Sequence, residues 1–238
     1  PYTIKDEASK DYDKIYTLNV KKVTPITNVG IENLTIRRTE YDALPGKNIS
    51  FSNAVNCWLK GVHLYNVPKH HITINACSHL EISGCYIHNA NSYEDRASAT
   101  NSSHGYGIVL QKASTNCLIE NNILHSLRHA LSISAGANSN VLAYNYSFQQ
   151  YHEKVGVVWE NALADLNLHG RMSFANLYEH NDVHLIHSDE YHAIRQGSYN
   201  TFFRNHIRTN YNYDLWVEWL DVEDILMMEA LDIPSGVY

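Results

Sequence analysis

The chain of 238 residues has no CxxC pair; its only cysteines are Cys57, Cys77, Cys85 and Cys117. A zinc ribbon or a thioredoxin-type centre is thereby excluded, and buried free thiols are the simplest expectation. No apolar run reaches 18 residues and no signal-peptide pattern opens the chain, so no membrane span is expected. Basic residues are in deficit, with 18 Lys and Arg against 25 Asp and Glu, a formal charge of −7. A general nucleic-acid binder needs basic surface to neutralise phosphates and is excluded on that ground. An anionic polysaccharide is less disfavoured, because one local basic groove would serve it. Before residue 220 no sustained 3.6-residue periodicity occurs, which argues against a helical bundle.

What the chain has in plenty is histidine, at 15, and tyrosine, at 17. It also has a repeat. "IENLTIR", "WLKGVHL", "LEISGCYI", "LIENNIL", "VLAYNYS", "NLYEHNDV" and "TFFRNHI" are short apolar segments, often preceded by Asn or Ser. Anchored at Val62, Cys85, Asn122, Asn145, Asn181 and Asn205, the last six are spaced 23, 37, 23, 36 and 24 residues apart. One coil per repeat, with loops inserted in two coils, explains both the short and the long spacings. In stacked parallel strands equivalent residues lie about 4.8 Å apart. Asn122, Asn145, Asn181 and Asn205 are therefore expected to form a ladder inside a turn, each amide donating to one neighbour and accepting from the other.

Coils of this length with an asparagine ladder resemble the right-handed parallel β-helix of the pectate lyase-like superfamily, over roughly residues 30–210. The resemblance implies an all-β solenoid of about seven coils. It leaves the reaction open, since lyases, glycosidases, epimerases, esterases and tailspikes share the fold. The paired aspartates and "RIK" of polygalacturonases are absent, as is the "DPHE" of mannuronan epimerases. "FANLYEHN" followed by "YNTFFRN" is similar to a group of bacterial β-helix proteins. Residues 1–29 read as an N-terminal segment. Residues 211–238 lose the repeat and read as a non-repeating cap or an assembly segment through which the chain could oligomerise. In it "VEDILMMEAL" fits a short amphipathic helix.

A histidine opens the strand before each anchor. His71, His104, His129, His169 and His192 are expected at one side of successive coils, with Asn48 in the first. The two insertions, near 90–103 and 150–165, precede His104 and His169 and would wall a groove there. The column is either a structural stack or a binding groove. As a groove it offers His129 or His169 as general base and Arg128 or Arg195 to neutralise a uronate carboxylate. His104, His192, Arg195 and Tyr106 are the further substrate-binding candidates. Asp165 and Asp189 lie four and three residues before His169 and His192, and would suit a hydrolase pair. In "HLIHSDEYH", His187, Asp189 and His192 could converge with His169 on a metal, though the spacing fits no specific motif. The resemblance implies that β-helix lyases commonly use Lys or Arg as base, often with calcium; Arg128 is then a base candidate too.

The leading expectation is a polysaccharide-cleaving β-helix, lyase or hydrolase, with a glycan as partner and a secreted or cell-surface location. The alternative is a non-catalytic glycan-binding or adhesive shaft.

Overall fold

Single left-handed residues set the corners of this molecule. A computed structural model describes residues 3–5, 15–17, 22–39, 46–91, 93, 104–150, 164–189, 196–208, 216–217 and 228–229. In every coil the residue just before the anchor position has positive φ: Asn33, Gly61, Gly84, Asn121, Tyr144, His180 and Arg204, at φ of 49–62°. One left-handed residue turns the chain sharply and aims its successor inward. The ladder asparagines themselves are not left-handed; that strain falls on their predecessors.

Between the corners the chain runs as short parallel strands in three sheets. Sheet A holds Lys47–Ser52, His70–Asn75, Tyr106–Gln111, His129–Ile133, Leu166–His169, Ile186–Asp189 and Trp216–Val217. Sheet B holds Gly30–Glu32, Trp58–Lys60, Glu81–Ser83, Leu118–Glu120, Val141–Ala143, Leu177–Glu179, Thr201–Phe203 and Met228–Glu229. Sheet C holds Thr35–Arg37, His63–Tyr65, Tyr86–His88, Ile123–His125, Tyr146–Phe148, Asp182–Val183 and His206–Ile207. The chain visits A, B and C in turn, which is a parallel β-helix. Sheets A and C have seven strands and sheet B eight, in line with the seven or so coils read from the repeat. Both long insertions fall between sheets C and A, after His88 and after Phe148.

Two strands lie within 211–238. Trp216–Val217 pairs with His187–Ser188, and Met228–Glu229 with Phe202–Phe203. Met228 and Glu229 are thus in a strand where the sequence suggested a helix; the rest of that segment lies outside the described residues.

One residue per strand points inward in sheets B and C, and these stack in rows. Leu59, Ile82, Ile119, Leu142 and Tyr178 form one row, Leu64, Ile87 and Leu124 another, all fully buried. Such a core has no free edge except at the two ends of the solenoid. At the N-terminal coil Val23, Ile26, Val29 and Leu34 remain exposed.

The corner between B and C carries the expected ladder. Asn122 Nδ2 donates to Asn145 Oδ1 at 3.0 Å, Asn145 to Asn181 and Asn181 to Asn205 at 2.9 Å each. The other Nδ2 hydrogen of each closes onto a carbonyl in the preceding coil: Ile82, Ile119, Leu142 and Tyr178. A second ladder, unforeseen, runs through the corner before sheet B. Asn140 donates to Asn176 and Asn176 to Asn200, each at 3.0 Å.

Three of the cysteines, Cys57, Cys85 and Cys117, occupy the same corner columns lower in the stack, while Cys77 lies beside Ser114. Cys85 sits below Asn122, and its Sγ donates to Leu59 O at 3.8 Å, the place equivalent to the Asn122–Ile82 bond. Cys117 sits below Asn140, and Cys57 two coils further down donates to Ile26 O. All four are buried free thiols, and burial pushes Cys77, Cys85 and Cys117 up, Cys117 to about 11. They serve as weak donors at corners, and the three that burial raises offer little thiolate for chemistry.

Replacing Asn145 with Leu strips Asn122 of its acceptor and leaves Ile119 O unmet. The expected loss is of order 3 kcal/mol in denaturant unfolding, because several buried groups lose partners at once. Thiol titration should count four in denaturant without reductant and close to none in the native state; a count of two would reveal a disulfide.

Candidate functional site

The outer face of sheet A gathers the polar side chains that the fold leaves over. Core residues Ile72, Ile74, Ile108, Leu110, Leu131 and Ile133 take the inward positions of its strands. Alternation sends Thr73, Val109, Ser132, Asn167 and His187 outward in one row. These outward side chains are nevertheless at 4% exposure or less, so the face is covered rather than solvent-washed. A second row, Asn75, Gln111, Ser134, His169 and Asp189, lies at the strand ends.

At the strand starts the alternation slips. The position of His71, Gly107, Ala130 and Asp165 faces inward although its successor does too. A Cβ on Gly107 would stand 2.3 Å from Ala130 O and 3.0 Å from Leu124 and Leu127, so only glycine fits. The slip, in the manner of a bulge, turns the preceding residues outward: Lys47, His70, Tyr106 and His129. His70 Nδ1 consequently meets Thr73 Oγ1 at 3.3 Å on the outer side.

This register corrects the histidine column. His70, not His71, aligns with His129, and Tyr106, not His104, stands between them. His71 is buried inside the corner, where Asn48 Nδ2 donates to its Nδ1 at 3.0 Å and its Nε2 donates to Asn89 O at 2.8 Å. The pairing of Asn48 with His71 is as expected. His169 sits at the far end of its strand, opposite Asp189, because Leu166 pairs with Leu131. His192 and Arg195 lie outside the described residues.

The carboxylate pair also dissolves. Asp165 lies beside Leu131's strand at the inward slip, and Asp189 stands opposite His169. Asp165 is fully buried and accepts from Ser147 Oγ at 2.7 Å, from Gln150 Nε2 and from the backbone N–H groups of His184 and Leu185. Burial pushes its carboxyl up, and those donors oppose the push. It braces the corner between sheets C and A. Among the described residues no group of three His, Cys, Asp or Glu could hold a metal; the suggested convergence of His187, Asp189 and His192 with His169 falls partly outside them.

What converges is Arg128, Tyr106, His129 and His70. The Arg128 guanidinium lies 5.7 Å from the Tyr106 ring centroid. Tyr106 meets His129 edge-on at 4.7 Å and stacks on His70 at 5.1 Å. His129 Nδ1 donates to Ala164 O at 2.7 Å, which leaves Nε2 with the lone pair. Burial, then Arg128, holds His129 well below the usual histidine range. Burial, then Lys69 and Lys47, lowers His70 to about 3. For both His70 and His129 burial, rather than repulsion from other imidazoles, is the leading cause. His70 Nε2, Asn75 Oδ1 and Asn167 Oδ1 on this face are buried without a hydrogen-bond partner. His70 and the lysines around it carry the one signal the sequence hid, since nothing in "KHHITIN" tells which histidine faces outward.

A family model described as "Right handed beta helix region" matches residues 8–162. Neither the curated proteins nor the solved structures return a match.

Histidines held neutral in the fold make stability depend on pH. His70 and His71 titrate near 3 when folded and near 6.5 when unfolded, so the unfolded chain binds more protons between those values. Their stabilisation is complete above about pH 6.5 and is lost as pH falls towards 3. The urea midpoint should drop steadily from pH 7 to pH 4, and His71→Gln should flatten that slope.

Proposed function

We propose a polysaccharide-cleaving role for this chain, which belongs to the right-handed β-helix family. The outer face of sheet A is the groove, and β-elimination next to a uronate carboxylate is the reaction. The observation that carries this reading is the meeting of Arg128, Tyr106 and His129 on one covered face.

Each part has a task. His129 offers a lone pair at Nε2, its tautomer fixed by Ala164 O. It takes the proton from the carbon beside the carboxylate. The electron pair left behind forms the double bond as the glycosidic C–O bond breaks, and the leaving oxygen takes a proton from water. Arg128 neutralises the carboxylate and the charge that develops on it. Burial keeps His129 neutral and therefore in its accepting form, but also makes it a weak base. A bound carboxylate corrects this, because an adjacent negative charge raises an imidazole pKa towards the working range. Lys47, Lys69 and Lys112 add cationic character at the neighbouring coils, where burial first, and then Lys69 and Lys112, lower Lys47. The hydrolase reading loses its support with the separation of Asp165 from Asp189. A glycan substrate places the proposed site of action outside the cell, where buried thiols are protected by their corners.

The test is a panel of uronate-containing and neutral polysaccharides, read by ultraviolet absorbance of the unsaturated product and by reducing-end release. A uronate polymer should give both signals. His129→Gln should lower turnover by about 10²–10⁴-fold with circular dichroism unchanged. Reducing ends without absorbance would mean hydrolysis, and retention without either signal would mean a glycan binder; both outcomes reject elimination.

A further inference from the structure

Sheet B carries a hollow on its outer face that the proposed chemistry leaves unused. Strands Gly30–Glu32, Trp58–Lys60 and Glu81–Ser83 stack in register, Gly30 beside Trp58 beside Glu81, and Glu32 beside Lys60 beside Ser83. Leu59 and Ile82 point into the core, so the residues on either side of them face outward. A Cβ at residue 30 would collide with the Cε2, Nε1 and Cζ2 atoms of Trp58, so only glycine lets the indole settle on the first of these strands. One ring face rests on Gly30, and the other is turned away from the sheet. The corner before the sheet supplies a side wall. Asn56 and His79 are left-handed there, at φ of 54° and 56°, and stay exposed while their successors Cys57 and Leu80 turn inward. With Glu32, Lys60 and Glu81 they line a cavity of about 450 Å³, a size that suits a small ligand.

The polar groups of the hollow are held in place yet only partly used. Trp58 Nε1 donates to Glu32 Oε1 at 2.6 Å. Lys60 Nζ lies 2.9 Å from Glu81 Oε1, which also accepts from Ser83 Oγ at 3.0 Å. Among the described residues both carboxylates keep Oε2, and the ammonium keeps two of its three hydrogens. His79 meets Ser78 Oγ through Nδ1 at 2.6 Å and keeps Nε2. Lys60 holds the Glu81 carboxyl below the usual carboxylate range, and Glu81 in turn raises Lys60, so both are ionised at neutral pH. The hollow thus offers carboxylate acceptors, an ammonium donor and an apolar ring face within one cavity.

Charge narrows the class of ligand. Glu32 and Glu81 outweigh Lys60, which disfavours uronates and sulfates. The ammonium of Lys60 disfavours a cationic amine. Among the described residues no group of three ligands could hold a metal ion. An uncharged ligand with many hydroxyls and one apolar face fits what is left. A pyranose ring is such a ligand: its hydroxyls donate to the two Oε2 atoms and accept from Lys60, and its C–H face lies on the indole.

We propose that this hollow on sheet B binds a neutral hexopyranose unit of a glycan, with Trp58 as its platform and Glu32, Lys60 and Glu81 as its polar contacts. It is a second carbohydrate site, with a preference opposite to that of the groove beside Arg128. Sheets A and B are different faces of the solenoid, so binding here does not depend on cleavage there.

The experiment is calorimetric titration with maltohexaose, cellohexaose and mannohexaose, and with the hexamers of galacturonate and glucosamine as charged counterparts. At least one neutral hexamer should bind with a Kd of about 1 mM or tighter. Trp58→Ala should weaken that binding at least about tenfold. Glu32→Ala should weaken it at least about threefold. Glu32 is exposed, so its variant keeps the fold even if loss of the indole does not, and circular dichroism checks both. Gly30→Val, which lifts the indole off the sheet, should act like Trp58→Ala. His129→Gln should bind the neutral hexamer as the wild type does, which separates this hollow from the groove on sheet A. Flat titrations with all the neutral hexamers, neutral binding unchanged in both Trp58→Ala and Glu32→Ala, or tighter Trp58-dependent binding of either charged hexamer would overturn the proposal.

Discussion

The corner is what the molecule depends on. A polar backbone must turn sharply inside a stack in which water is absent, and each turn exposes N–H and C=O groups that strands cannot satisfy. The chain answers with a left-handed residue followed by an inward amide. That amide donates twice and accepts from both the backbone and the side chain of the coil before it, as Asn145 does with Asn122, Asn181 and Ile119. Once the corners are fixed, strands of three residues are long enough, because each is held on both sides by a copy of itself. The flat outer faces follow from the same constraint. Equivalent positions fall in straight rows, so a sheet face acquires a chemical character that single residues do not have.

Three faces thus acquire three characters. Sheet A collects neutral imidazoles, a phenol and small polar groups beneath cover, beside Arg128. Sheet B presents carboxylates with Trp58, whose indole lies over Gly30 and donates to Glu32 Oε1 at 2.6 Å. Sheet C stacks rings, such as Tyr86 on His88. The insertions enter only at the corner between C and A, so sheet A is the face whose surroundings vary most from coil to coil. In a fold built from sameness, that is where a specific reaction can be housed.

Much of this was legible in the sequence, and the illegible part has a physical cause. Asn122, Asn145, Asn181 and Asn205 revealed the repeat because no insertion separates an anchor from the strand that follows it. Counting forward from those anchors gives His63, His88 and His125 their places on sheet C. The second ladder was equally within reach: Asn140, Asn176 and Asn200 each stand five residues before an anchor. Counting backward failed, because the loops at the corner between C and A differ in length and the bulge at the start of sheet A adds a residue that alternation does not anticipate. The choice between His70 and His71 turns on that slip. Asp165 was misplaced for the same reason, since a one-residue shift moved it from the groove to the interior.

The ladders also have a direction. Each amide oxygen serves the coil before it, and the donors of each corner wait for the coil after it. During synthesis the segment through Asn122 leaves the ribosome with one Nδ2 hydrogen and its backbone N–H unmet, and they stay unmet until Asn145 has followed. Every coil is thus finished only by its successor, so the growing chain carries one incomplete turn at its leading end throughout translation. A pause in elongation would hold that turn open in the cell. Where Cys85 or Cys117 fills the column instead of asparagine, less is left waiting, and the early coils can close with a lighter dependence on what has yet to be made.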